Sequence, residues 1–314
     1  MARLPRLFGA TSCVEAENLA LIRQAIGENA GLSCFRAGAP GPWSKNTILF
    51  LDRETIKPRC VVKAGAGKEV ALLLQNEANW IQTLRQNASL AVHVPELIAY
   101  RAGSDLSFVV QSPILGKFAR ELGEPQFEFL RKFQNHSRQI LKFEESRLYN
   151  NLHSRMIGLN GLLSEAWSNR LQNGLLRIEQ LLSGASILMV AAHNDFTLWN
   201  IRVDGCIARV FDWEYADIQQ LPLFDPLHFT LMPMAIRKRP VHKIILSMNK
   251  TMQLCRQRLG TEACYKAQAQ ALAYLLNLCT LYLYSEGGKS GPDTVLASYA
   301  RIIDSMLTIE HMSL

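Results

Sequence analysis

Apolar and polar positions alternate in the first third of the chain, then change to helical spacing. From about Leu32 to Lys63 the pattern is strand-like: "LSCFRAG" leads into the breaker-rich "APGPWSKN", and then come "TILFLD", the turn "RETIKP" and "RCVVKAG". A helix is predicted over residues 68–86, with Val70, Leu73, Ile81 and Leu84 as its inward stripe. After Pro95, "ELIAY" reads as a short strand and "LSFVVQSPIL" as a buried one. From about Phe118 the chain is mostly helical, and Met156 to Leu182 keep helical spacing until Ser183 and Gly184 close the run. The strand "SILMVAA" delivers His193, and "IARVFD" is the next strand. After Asp225 helical spacing returns, up to an amphipathic helix carrying Val295, Tyr299, Ile302, Ile303 and Met306. The expectation is an α+β chain: a small β-rich part over residues 1–116 and a larger helical part over residues 117–314, with no internal repeat.

Composition narrows the class without naming a reaction. Of 314 residues, 48% are hydrophobic and 19% charged, enough for a sizeable core and unlike a disordered chain. The net charge of +7 is scattered, so nucleic acid is not the expected partner. An anionic small molecule, or peripheral contact with acidic lipid, stays compatible with it, and the exposed-looking run "RKRPVHK" reads as a solvated loop. The seven cysteines are odd in number and lack CxxC spacing, which fits reduced thiols in a cytoplasmic protein. No signal peptide is read at the N-terminus. The longest apolar run, "ALAYLLNLCTLYLY", is too short to span a bilayer and is expected to be a core helix, whose Tyr282 and Tyr284 are candidates to line a substrate pocket.

Chemistry concentrates in "HNDFTLWNIRVDGCIARVFDWEYA". A strand that runs out into a loop exposes Asp195 to a substrate hydroxyl. Asn200 returns five residues later, and Asp212 follows the next strand. An amide oxygen and a carboxylate from two strand ends suit Mg²⁺, which takes few protein oxygens. Asp195 is left to accept or orient a hydroxyl proton. Together they form a minimal set for in-line phosphoryl transfer.

"HNDFTLWN" followed by "VFDWE" resembles the signature of the aminoglycoside phosphotransferase/choline kinase family, which has a bilobal protein-kinase-like fold. The resemblance implies an ATP- and Mg²⁺-dependent kinase acting on a small-molecule hydroxyl. It gives Asp195 the catalytic-base place, Asn200 and Asp212 the metal ligands, and His193 a loop-supporting role. Glu214 is left either to assist the metal or to brace the strand end. Asp225 in "PLFDPLHF" matches a family aspartate expected to hold the catalytic loop's backbone. Two positions depart from the family pattern: Asn194 stands for a glycine and Leu198 for a proline. Asn tolerates left-handed backbone angles.

The front part can be read beside this. Lys63 ends the strand "RCVVK", and Glu77 falls within the helix's apolar stripe. A buried glutamate is costly unless a cation meets it, and Lys63 is the candidate. Gly38, Gly41 and Ser44 occupy the place of a phosphate-covering loop, although the segment is no strict glycine motif and equally suits a plain hairpin turn. By the resemblance, the backbone from Gln111 to Ile114 would meet adenine. His228 and His242 have no partner pattern and read as structural or surface. Sparse carboxylates after Asp225 argue against a polycationic acceptor; the resemblance implies a sugar, amino alcohol or glycolipid-precursor hydroxyl as acceptor, with a sugar or glycolipid precursor preferred. The rival reading is a pseudokinase scaffold, which the intact Lys63, Asp195, Asn200 and Asp212 oppose. A protein kinase is disfavoured because no D-F-G or A-P-E follows Asp212.

Overall fold

The computed structural model describes residues 16–27, 30–36, 43–289 and 295–308. The chain divides into two compact units, Met1–Arg85 with Pro95–Ile114, and Gln86–Val94 with Leu115–Leu314.

The first unit contains α1 (Ala16–Ile26), β1 (Ala30–Arg36), β2 (Asn46–Asp52), β3 (Pro58–Gly65), α2 (Lys68–Gln86), β4 (Leu97–Arg101) and β5 (Ser107–Gln111). The strands form one antiparallel sheet in the order β1-β2-β3-β5-β4. The β2–β3 turn is closed by Asp52, whose Oδ1 accepts the Thr55 N–H at 2.8 Å and the Thr55 hydroxyl at 2.9 Å. Strand alternation then sorts the side chains onto two faces. Ile48, Phe50, Cys60, Val62, Ala64, Phe108 and Val110 pack with Ile22 and Ile26 of α1. The opposite face buries Val109 against Val70, Leu74 and Ala78 of α2. The buried stripe of α2 runs through Leu74, while Leu73 is only half-buried. One residue's rotation of that stripe leaves Glu77 fully buried.

The second unit contains β6 (Lys117–Phe118), α3 (Glu124–Ser137), β7 (Gln139–Lys142), α4 (Arg147–Gly158), α5 (Glu165–Leu182), β8 (Ser186–Ala192), β9 (Ile201–Asp204), β10 (Ile207–Val210), β11 (Asp217–Gln220), α6 (Phe224–Ile236), α7 (Val241–Leu259), α8 (Ala267–Ser285) and α9 (Val295–Thr308). Two three-stranded sheets, ordered β10-β9-β6 and β11-β8-β7, lie among the helices. The "ALAYLLNLCTLYLY" run lies within α8, buried on most sides as expected of a core helix, and among the described residues no helix is long and apolar enough to cross a membrane. The residues 237–239 of the basic run are exposed. Residues 86–94 join this unit through His93, whose Nδ1–H donates to the Ala208 carbonyl at 2.7 Å.

The helical run expected from Met156 to Leu182 is not continuous. It stops at Gly158 and restarts at Glu165, where Ser164 caps α5 by accepting the Trp167 N–H at 3.4 Å. Gly161, at φ 76, turns the chain between the two helices. The apolar periodicity survives across the break, so period alone hid it. β7 and β11, short and flanked by helices, also carry too few residues to show alternation.

Two glycines separate conformational from packing cost. A Cβ at Gly161 would meet nothing within 4 Å, whereas at Gly116 (φ 127) it would lie 2.8 Å from the Val203 carbonyl oxygen. Gly161→Ala is expected to cost about 1 kcal/mol and Gly116→Ala about 3 kcal/mol. Urea unfolding of the two variants measures the difference, and equal midpoints would contradict it.

Candidate active site

The loop after β8 is built on one carboxylate. Asp225, in the first turn of α6 and 2% exposed, accepts the His193 N–H at 2.9 Å and the Asn194 N–H at 3.0 Å. A helix N-terminus favours negative charge at that place. With both amides held, Asn194 takes φ 62 and its side-chain amide donates to the Tyr215 carbonyl at 3.0 Å. The asparagine standing where the family has glycine therefore adopts the left-handed angle and adds a cross-link.

His193 is fully buried. Its Nε2–H donates to the Phe211 carbonyl at 3.1 Å, and its Nδ1 accepts the Asp195 N–H at 3.2 Å. Both ring atoms are thus satisfied by the neutral imidazole. Burial draws its pKa down to about 4, so at neutral pH the ring stays uncharged and braces the loop. Beneath the loop lies an aromatic platform. Phe129 stacks on Phe133 and Phe196, with centroids 5.5 and 5.8 Å apart, and Trp213 meets Phe133 edge-on at 5.4 Å and His193 at 4.6 Å.

Asn200 and Asp212 come to the same end of the β9–β10 hairpin. The register pairs Ile201 with Val210, and the Phe211 N–H donates to the Asn200 carbonyl at 3.1 Å. Asn200 Nδ2 donates to the Asp195 backbone oxygen at 3.0 Å and to Asp195 Oδ2 at 2.7 Å. With the amide nitrogen so engaged, the atom Asn200 offers elsewhere is its oxygen, the donor a divalent cation takes. Asp212 sits at φ 75, ψ 54, a strained angle for a non-glycine residue, and its carboxylate lies within 4.8 Å of that of Glu214. An amide oxygen with paired carboxylates fits a hard cation such as Mg²⁺.

The sequence reading missed one residue here. His228, assigned no partner, places Nε2 3.1 Å from Asp195 Oδ1 and Nδ1 3.2 Å from the Tyr274 hydroxyl. It also lines a cavity of about 80 Å³ with Asn194, Asn151, Arg155, Asp217 and Asn277. Burial is the main cause that raises Asp217 and lowers Arg155. Neither Tyr282 nor Tyr284 lines this cavity, and Tyr284 is 53% exposed. The only sequence signal for His228 was its position three residues after Asp225, on the same face of a helix.

In the first unit Lys63 Nζ donates to Glu77 Oε1 at 2.5 Å, with the two side chains 9% and 0% exposed. Lys63 stands on the α2-covered face, opposite Val109 in the register. Gln111 ends β5, and its buried Oε1 has no hydrogen-bond partner among the described residues. Ile114 is half-buried, and the neighbouring Ser112 N–H is taken by the Glu96 carbonyl at 2.9 Å. Ser44 is half-buried, with its carbonyl over Gly65. Gly38 and Gly41 lie outside the described residues.

A β-rich antiparallel front unit, a helical back unit and an Asp–Asn–Asp loop carried on a hairpin define the kinase-like fold class. Residues 38–233 match the phosphotransferase enzyme family, well over half of the 314 residues, and the chain belongs to that family. It is similar in structure to a thermostable mutant of aminoglycoside phosphotransferase APH(4)-Ia in complex with ADP and hygromycin B, at 12% identity over 94% of this chain and 99% of that one (TM-score 0.62). The streptomycin–ATP complex of APH(2")-IIa is 13% identical over 95% and 99% of the chains (TM-score 0.59). Amicoumacin kinase hAmiN, with AMP-PNP and Ca²⁺, is 13% identical over 92% and 93% (TM-score 0.57). No curated protein matches the sequence.

Two predictions follow the buried charges. Glu77→Leu breaks a buried ion pair and is expected to cost about 3–5 kcal/mol. The double variant Lys63→Met with Glu77→Leu should recover at least about half of that loss, because neither charge of the pair is left buried. Chemical denaturation of the single and double variants decides, and additive losses would contradict it.

Burial pushes the Asp225 carboxyl up to about 6, against its two amide donors. Between about pH 4 and 6 the native Asp225 keeps a proton that the unfolded chain releases, so its contribution to stability falls as pH rises. His193 acts oppositely: the unfolded chain binds the proton that the native ring refuses, so stability rises with pH over the same window. The two slopes offset each other. Asp225→Asn leaves His193 unopposed, and its stability should climb more steeply than the parent's from pH 4 to 6, by up to about 1.4 kcal/mol per unit. Parallel urea midpoints for parent and variant across that range would contradict this.

Proposed function

We propose that this phosphotransferase moves the γ-phosphoryl group of ATP to a hydroxyl of a small, uncharged or weakly charged polyhydroxyl acceptor. The observation that carries the reading is the Asp195–Asn200–Asp212 arrangement: a partly exposed carboxylate fixed at both oxygens, beside an amide oxygen and a strained carboxylate at the end of one hairpin. Asp195 orients the acceptor hydroxyl and accepts its proton as the new O–P bond forms and the bond from the γ-phosphorus to the bridging oxygen breaks, with ADP leaving. Asn200 and Asp212 hold Mg²⁺, with Glu214 near enough to Asp212 to share the load. When bound, Mg²⁺ supplies positive charge against the phosphate oxygens.

Lys63, fixed by Glu77, supplies the cation for the α- and β-phosphates. The buried Gln111 Oε1 suits an N–H donor such as the adenine amino group, and Ile114 offers the next amide of that segment, since Pro113 has none. Ser44 belongs to the phosphate-covering segment in this reading. The acceptor enters the cavity at His228 and Asn194. Its walls carry amides, one arginine and one aspartate, a charge inventory that suits hydroxyls better than several ammonium groups. The structurally similar enzymes named above are bound to hygromycin B, streptomycin and amicoumacin, and the wall chemistry supports a different acceptor class here. A sugar or glycolipid-precursor hydroxyl fits that inventory.

Asp195→Ala and Asp212→Ala should each lower MgATP turnover at least about 100-fold while keeping the parent's melting temperature within a few degrees. ATP should raise the parent's melting temperature only when Mg²⁺ is present. Normal turnover in both variants would end the assignment, and no thermal response to MgATP would favour a scaffolding role.

A further inference from the structure

Asp195 is held from a second direction by a buried chain of side chains that the loop does not supply. His228 on α6 meets its Oδ1 at 3.1 Å, the Tyr274 hydroxyl of α8 meets His228 Nδ1 at 3.2 Å, and the Tyr299 hydroxyl of α9 meets that of Tyr274 at 3.1 Å. The three residues are 2%, 3% and 0% exposed. Three helices thus converge on one carboxylate oxygen.

The direction of the chain follows from its buried end. Tyr299 has one hydrogen-bond partner among the described residues, the Tyr274 hydroxyl. If Tyr299 only accepted, its own buried O–H would go without an acceptor, at a cost of roughly 1–3 kcal/mol. Tyr299 therefore donates to Tyr274, and Tyr274 spends its hydrogen on His228 Nδ1. Burial raises both phenols and keeps their hydrogens in place. A neutral imidazole that accepts at Nδ1 carries its hydrogen at Nε2, facing Asp195.

We propose that His228 is the positioning residue of the phosphotransfer: the Asp195 carboxylate on one side and the Tyr299–Tyr274 chain on the other favour the same Nε2–H tautomer, and that N–H locks Asp195 Oδ1 while Asn200 locks Oδ2. Rotation of the carboxylate would break one charge-assisted bond or the other. The remaining lone pairs of Asp195 keep one orientation toward the hydroxyl that His228's cavity admits. The inference rests on reading Asp195 as the residue that orients the acceptor. The tyrosine donor at Nδ1 and the carboxylate acceptor at Nε2 are both met by this one tautomer.

The test has a spectroscopic and a kinetic arm, both on the full chain. Long-range ¹H–¹⁵N correlation of the ring nitrogens should report the Nε2–H tautomer for His228 in the parent with Nδ1 accepting a hydrogen bond; in Tyr274→Phe, which keeps the ring but removes the donor, the hydrogen should stay at Nε2 against the Asp195 carboxylate while the Nδ1 resonance moves toward that of a ring nitrogen without a donor. An Nδ1–H ring in the parent, or unchanged nitrogens in Tyr274→Phe, overturns the chain. With water as acceptor and released inorganic phosphate as readout, His228→Phe should lower kcat about 10- to 100-fold with KM for ATP within about twofold of the parent. His228→Gln, whose amide donates toward Asp195 and accepts from Tyr274, should recover most of that loss. Equal kcat in His228→Phe and parent, or a glutamine variant no better than the phenylalanine one, overturns the positioning role. A parent that shows the Nε2–H tautomer but no MgATP turnover counts against the phosphotransfer reading and leaves the hydrogen-bond chain standing.

Discussion

The second unit's chemistry depends on a carboxylate that takes no part in it. Asp225 fixes two successive amides, and everything exposed by the loop is referred to those two bonds. The left-handed angle, which asparagine adopts more readily than most residues with a Cβ, is fixed at Asn194 by the held N–H and by the side-chain bond to the Tyr215 carbonyl. Release it, and Asp195 loses the backbone direction that sets its side chain between Asn200 and His228. The neutral state of His193 belongs to the same constraint: a ring that accepts from Asp195 N–H at one nitrogen and donates to the Phe211 carbonyl at the other ties loop to hairpin without adding a charge. The site's rigidity thus comes from neutral or singly charged groups in fixed hydrogen bonds, a cheaper way to hold geometry in a dry interior than stacking ion pairs.

Much of this was legible in the sequence wherever a residue violated its own pattern. Glu77 in an apolar stripe demanded a cation, and a strand-end lysine stood ready. The acid–amide–acid order around the hairpin could be read because each group sits next to a strand end, where spacing along the chain is spacing in space. Asp225 was reachable only through the family resemblance, since nothing local distinguishes it from an ordinary helix-start aspartate. His228 was beyond reach for a different reason: its partners are 33, 46 and, through Tyr274, 71 residues away in the chain. A buried polar chain running across three helices leaves no periodic signature. The break at Gly158–Ser164 was hidden by the opposite effect, because apolar residues on both sides kept the rhythm through a turn.

Similarity of fold at 12–13% identity fits this division of labour. The sheet of the first unit and the aromatic platform of the second need residues that are apolar and of suitable size, a condition many sequences meet. The loop's geometry needs particular atoms: two carboxylate oxygens for two amides, one nitrogen pair for His193, one amide for Asp195. Few residues carry that demand, and they sit within a short span of sequence around the hairpin and the start of α6. The cavity beside them is under neither constraint. Its walls come from α4, β11, α6 and α8, so residues such as Asn151, Arg155 and Asn277 can change without disturbing the two bonds that hold the loop. In the proposed reading, acceptor choice is therefore separable from phosphoryl transfer, with His228 as the point where the two meet: one ring nitrogen faces Asp195, and the ring itself forms part of the cavity wall.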